Sequence, residues 1–199
     1  MTLTDVFGSL LFILLFLARV DQGLHGSPLA WFLALQSSMV AFRIVFHRTS
    51  KKDSTVWVQW LAWLSALAPL ATLTPNSSTL ALGASAREVV GVFPTILPLP
   101  GLALSVWSLF ALGDSFSIAP SDRGLVLRGP YRFIRHPMYA GEVLALIGTC
   151  VSNSILWNWS VLFVFILTVY IRIIEEESVL QGYRNYTRLV SWRLVPYVW

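Results

Sequence analysis

Residues 128–141 read Arg-Gly-Pro-Tyr-Arg-Phe-Ile-Arg-His-Pro-Met-Tyr-Ala-Gly, a basic and aromatic stretch set between long apolar segments. Arg128, Arg132 and Arg135, with Arg123 upstream, supply cations. His136 supplies an imidazole ring. Pro137 biases His136 away from helical backbone angles, so the ring is aimed from a rigid loop into the helix that follows. A second group lies at Arg172 and Glu175-Glu176-Glu177, and a third at Tyr183 and Tyr186. Arg172 and Glu176 stand four apart, so on a helix they share a face and can pair. Two readings compete there. One is a charged cap that anchors an apolar helix; the other is a binding pair, Glu176 accepting from a hydroxyl or amine while Arg172 holds an anion.

Other chemistries lack their residues. His25 and His47 lie in different loops and no carboxylate spacing resembles a metal site, so no metal is expected. There is no Gly-rich phosphate loop and no nucleophile motif. Cys150 is the sole cysteine, which rules out an intrachain disulfide, and its apolar neighbours suggest a buried inert thiol. A net charge of +4 raises the question of nucleic acid. The basic residues, however, collect in short loops beside apolar runs, as cytoplasmic membrane flanks do, so no nucleic-acid partner is expected. Residue pattern alone describes a polar ligand pocket and names no reaction.

The elements that must position these groups are membrane elements. The chain of 199 residues is 56% hydrophobic and 12% charged, with a mean hydropathy of +0.68. A soluble domain carries about 25% charged residues. Nine Trp and six Tyr suit a membrane interface. The expected fold is all-α: a multi-pass integral membrane protein of about five or six transmembrane helices.

Apolar runs at 6–20, 28–47 and 56–73 predict the first three helices. The first lacks the basic flank and cleavage site of a signal peptide, so it reads as a membrane helix. Pro94, Pro98 and Pro100 break the start of a fourth run over 91–112, leaving a regular helix from about 101 to 112. Runs at 139–151 and 155–173, separated by Ser152-Asn153-Ser154, predict a closely packed C-terminal helical hairpin. Polar loops fall at 74–90 and 113–137, and an amphipathic tail covers 174–199. One domain spans 1–199, with N-terminal helices over 1–90 and the site-bearing half over 91–199. The basic loop His47–Lys52 is expected in the cytoplasm. Counting crossings from it puts the N-terminus, the 113–137 loop and the C-terminal tail on that side, and the arginines of 113–137 agree.

The segment Gly129-Pro130-Tyr131, Arg135-His136-Pro137, Tyr139 and Gly141, followed by a hairpin and then Arg172, Glu176-Glu177 and Leu180, resembles the isoprenylcysteine carboxyl methyltransferase family. Tyr183, Tyr186, Arg193 and Pro196 extend the resemblance in the tail, and Leu112-Gly113, Phe116 and Ser117 extend it upstream. It covers roughly residues 101–199. It implies a multi-pass fold whose C-terminal half encloses S-adenosyl-L-methionine at the cytoplasmic face. By resemblance the cofactor would be contacted by Gly124, Leu125, Val126, Tyr131, His136, Pro137, Met138, Tyr139 and Glu176. Arg172 would be the catalytic residue, orienting an acceptor that is a carboxylate in the namesake enzymes. A lipophilic or prenylated substrate would enter sideways from the bilayer into a monomer surrounded by membrane lipids, in the inner membrane of a bacterium or the endoplasmic reticulum of a eukaryote. The stretch between Glu177 and Tyr183 is about one turn shorter than is usual in the family. Methylation of a phospholipid amine or thiol, a membrane reductase using NADPH, and a non-catalytic protein of the same fold are the alternatives.

Overall fold

The computed structural model describes residues 3–24, 28–46, 50–72, 96–152 and 154–199. Among them are seven α-helices, and the sole strand-like pairing is one antiparallel bridge between Asp53 and Ser121. The first three helices are α1 (Leu3–Leu24), α2 (Pro28–Val45) and α3 (Val56–Leu67). The second half holds α4 (Leu99–Leu112), α5 (Pro137–Ser152), α6 (Leu156–Val179) and α7 (Tyr183–Leu189). His25, His47, Pro94, Asn153 and the expected polar loop 74–90 lie outside the described residues.

Helix ends follow the prolines and the charges. α3 gives way to a 3-10 turn over Ala68–Ala71 rather than continuing to 73, because Pro69 cannot donate a helical hydrogen bond. α4 begins at Leu99, about two residues earlier than expected, with Pro98 at its cap and Pro100 in the first turn, where a missing N–H costs nothing. α6 continues to Val179 instead of stopping at 173, since Glu176 and Glu177 find donors while still helical.

Two apolar clusters hold the described elements together. Phe12, Met39, Val40, Ile44, Ala62, Val106 and Leu109 join α1, α2, α3 and α4, with Phe116 and Ile118 from the following loop. Tyr139, Leu146, Cys150, Leu162, Phe165, Val169 and Ile173 join α5 to α6. Each such side chain contributes about 1.5–3 kcal/mol when fully buried. Cys150 is buried as expected, its thiol directed at the Asn158 carbonyl.

The hairpin partner of α5 is not its closest neighbour. α5 packs more extensively on α4 than on α6. A Cβ at Gly141 would lie 2.5 Å from Ser105 Oγ and 2.6 Å from the Gly101 carbonyl, so the two backbones touch. Small residues permit that approach, as they do between membrane helices. The expected hairpin of α5 and α6 forms around the second apolar cluster, and α4 packs still more closely on α5.

The segment after α2 is zipped to the loop after α4. Lys51 N donates to Asp122 O at 2.9 Å, Asp122 N to Lys52 O at 2.8 Å, and Ser54 N to Pro120 O at 3.0 Å. Lys51 and Lys52 thus sit at the same end of the bundle as the 113–137 loop. Among the described residues one helix, α6, is both long and apolar enough to cross a membrane.

Candidate active site

The loop from α4 to α5 is built to approach α6 and α7. Gly124 takes φ +93°, a backbone angle that L side chains rarely adopt. Asp122, only 1% exposed, stabilises this turn. Its Oδ1 accepts from Gly124 N at 3.2 Å and its Oδ2 from Gln181 N at 3.4 Å. One buried carboxylate therefore ties the loop to the end of α6. Gly182 follows in the left-handed region, letting the chain reverse within three residues into α7.

Between these segments lies a cleft. Its walls are Leu112, Ser115, Phe116, Ser117, Ala119, Pro120 and Ser121 on one side; Gly124, Leu125, Val126 and Tyr131 on a second; and Arg135, His136, Met138, Tyr139, Glu176, Leu180, Tyr183 and Tyr186 on the third. It encloses about 700 Å³ of space outside atoms, counting the part open to solvent. Only about 60 Å³ of that is wide enough for a water-sized occupant.

Two adjacent carboxylates divide the polar work. Tyr139 Oη donates to Glu176 Oε2 at 3.0 Å. Glu177 gathers the tail: Arg193 grips it with Nε and Nη2, both at 2.8 Å, and Tyr183 Oη donates to it at 2.7 Å. Arg135 Nη1 and His136 Nε2 each lie 3.3 Å from the same carboxylate. Two-point arginine contacts of this kind are among the stronger charge-assisted hydrogen bonds. Pairing with Glu177 pushes the Arg193 guanidinium pKa further up. Burial, helped by the neighbouring Glu177, raises the Tyr183 phenol well above its ordinary value, and burial raises Tyr186 and Tyr131 likewise. All three remain neutral donors.

His136 is 4% exposed and held on every side. Its backbone N–H donates to Arg193 O at 2.9 Å, and its ring stacks on Tyr139 at 5.8 Å between centroids. Nδ1 stands 3.9 Å from Glu176 Oε2. Tyr186 Oη closes the back of the cleft by donating to the Tyr131 carbonyl at 2.8 Å.

The structure brings Gly124, Leu125, Val126, Tyr131, His136, Met138, Tyr139 and Glu176 onto this one cleft. Pro137 does not reach it; fully buried, it starts α5 behind the wall. Arg172 is also off the cleft. Its side chain is 2% exposed and lies behind Tyr139, guanidinium carbon 4.7 Å from the ring centroid. Nη1 donates to Ser65 Oγ at 2.8 Å and Nη2 to the Ile118 carbonyl at 2.7 Å, leaving Nε buried without a partner among the described residues. The i, i+4 pairing of Arg172 with Glu176 does not form. Glu176 turns to Tyr139 instead, while Arg172 turns inward to α3. Glu177, Arg135 and Arg193 carry more of the site than sequence reasoning assigned them, and Ser65 and Asp122 were not singled out at all. A hydroxyl or carboxylate buried by tertiary packing leaves no local mark in the sequence.

The described residues form an all-α bundle with apolar outer faces, carrying at one end a cleft of tyrosines, a histidine and a glutamate. Residues 90–186 match the family model of the phospholipid methyltransferases, a family that takes in membrane methyltransferases of the isoprenylcysteine carboxyl type. No curated protein matches the chain. The matched segment runs from just before α4 through Tyr186, so it covers the cleft and stops short of Arg193.

The donor set suits S-adenosylmethionine. Tyrosine faces attract a sulfonium through cation–π contact. Glu176 keeps an acceptor oxygen free for ribose hydroxyls, and Ser115, Ser117 and Ser121 line the same space. Width is the constraint on a nucleoside, and at Gly124 on the cleft wall an added Cβ would meet nothing within 4 Å.

Proposed function

We propose that the chain is an integral, multi-pass membrane methyltransferase that uses S-adenosyl-L-methionine to methylate a lipophilic acceptor. The observation that carries this is the cleft itself: Tyr131, His136, Tyr139 and Glu176 converge in it, within a segment of a membrane methyltransferase family. Large apolar side chains exposed on α1 (Phe7, Leu14, Leu17), α3 (Trp57, Trp60, Leu64), α4 (Trp107, Phe110) and α6 (Phe163, Leu167, Tyr170) support membrane burial. Monomeric soluble proteins rarely leave apolar patches of that extent uncovered. With the short apolar helices α3, α4 and α5 tilted or packed beside α6, several crossings are accommodated.

When bound, S-adenosylmethionine supplies the methyl group, carried on a sulfonium. The protein's share is positioning and exclusion of water, which are enough where the acceptor is already a nucleophile. Tyr131 and Tyr139 line the space for the sulfonium, and Glu176 takes hydroxyls of the nucleoside. His136, clamped between Glu177 and Tyr139, keeps the Tyr139 ring in place. Arg172 lies behind the Tyr139 ring rather than on the cleft, and it meets the acceptor there through Nε, the guanidinium nitrogen with no hydrogen-bond partner among the described residues. A buried guanidinium favours an anion, so a carboxylate acceptor such as that of an isoprenylcysteine is the reading we prefer. The family match favours a phospholipid amine as the second reading. Charges place the cleft on the cytoplasmic side, reached by cofactor from water and by lipid from the bilayer.

Thermal unfolding of the purified protein tests the reading. S-adenosylhomocysteine at a hundred times its Kd adds about 2.7 kcal/mol to apparent stability, a readily measured upward shift. A shift with NADPH and none with S-adenosylhomocysteine overturns the assignment in favour of a reductase. A shift with neither favours a non-catalytic protein. Labelled cofactor incubated with lipid extracts identifies the acceptor by mass, and Arg172→Ala should transfer no label.

A further inference from the structure

Arg172 is held from a part of the chain that the family segment does not include. Ser65 lies in α3, 107 positions away in sequence and outside residues 90–186. The serine is 2% exposed, and its own proton is spent on the Ala62 carbonyl at 2.9 Å. Its oxygen is therefore left as an acceptor, and Arg172 Nη1 fills it at 2.8 Å. The guanidinium, fixed there and at the Ile118 carbonyl, sits over the Tyr139 ring with its carbon 4.7 Å from the ring centroid. Tyr139 in turn donates to Glu176 on the cleft wall.

We propose that Ser65 is a positioning residue for the cleft: its hydroxyl sets Arg172, Arg172 backs the Tyr139 ring, and Tyr139 fixes Glu176. The inference rests on the cofactor assignment made above and adds a contribution from the N-terminal helices. A side chain whose hydrogen bonds are buried cannot find a substitute partner in solvent, so losing the Ser65 oxygen orphans an arginine N–H. The strain is relieved by moving the guanidinium, and the tyrosine moves with it. The same oxygen decides where the unspent Arg172 Nε points.

The test is calorimetric binding of S-adenosylhomocysteine to the full-length protein in detergent. Ser65→Ala should weaken binding about tenfold, the loss of one hydrogen bond to a charged group. Ser65→Thr, which keeps an acceptor oxygen, should restore most of it. In an Arg172→Met background, Ser65→Ala should cost nothing further, because its path to the cleft is gone; Arg172→Leu, which likewise lacks a donor, replaces that background where the methionine variant does not fold. Ser65→Ala with lowered thermal stability and unchanged affinity overturns the proposal, leaving a packing role only. An equal tenfold loss in both backgrounds also overturns it, since Ser65 would then act by another route. Failure of the wild-type protein to bind the nucleoside is a separate outcome, and it removes the cofactor assignment and this inference together.

Discussion

Neighbouring residues on an α-helix point about 100° apart, so Glu176 and Glu177 face different walls, with the His136 ring between them. Glu176 faces the cleft and keeps a free acceptor oxygen, whereas Glu177 faces the tail and is saturated by Arg193, Tyr183, Arg135 and His136. Removing the second carboxylate leaves two guanidinium groups without their counter-charge. Glu177→Ala should therefore lower stability by about 2–4 kcal/mol, read as a fall in apparent Tm. Glu176→Gln, with more solvent around it, should change Tm little and weaken S-adenosylhomocysteine binding instead. If the two variants exchange these phenotypes, the division of roles is wrong. The triplet and Arg172 were legible as a charged cluster from sequence. Which carboxylate faces which wall was not, because the i, i+4 rule counts positions on a helix and ignores what packs against it. Arg172 obeyed the stronger demand, a buried hydroxyl and carbonyl within reach.

At the scale of elements, the cleft depends on two tight places. The first is the α4–α5 contact, where a Cβ added at Gly141 would lie 2.5 Å from Ser105 Oγ and 2.6 Å from the Gly101 carbonyl. Ser105 there donates to the Met138 carbonyl at the first turn of α5, just beside His136. Gly141→Val should push the helices apart, cost about 1–3 kcal/mol, and loosen the cleft with them. Thermal unfolding and nucleoside binding should fall together; loss of neither would mean the helices can slide without consequence. The second is Gly182 at φ +76°, which allows the turn from α6 into α7 to be short. Gly182→Ala should cost about 1–2 kcal/mol in Tm for backbone reasons alone. The brevity of this turn was visible as a missing stretch before Tyr183. The structure shows that the glycine absorbs it, since Tyr183 and Tyr186 are both buried and both line the cleft.

Across the whole molecule, the N-terminal helices are fastened to the site-bearing half by the 51–54 zipper, by Arg172 bridging Ser65 and Ile118, and by one shared apolar cluster. Lys52 and the tail helix should then be reached from the same side of the membrane. In a Cys150→Ser background, Lys52→Cys and Arg188→Cys should both label with a membrane-impermeant maleimide from one face in oriented vesicles. Labelling from opposite faces would overturn the topology. Sequence by itself determined the helical class, the approximate helix positions and most of the called residues that line the cleft, because hydropathy, proline placement and the Arg135-His136-Pro137 stretch are local signals. Tertiary structure decided that α4 rather than α6 is the close partner of α5, that Glu177 organises the tail, and that Arg172 is set from α3. Those outcomes depend on which buried donors and acceptors come within about 3 Å of one another, and only packing brings residues 107 positions apart to that distance.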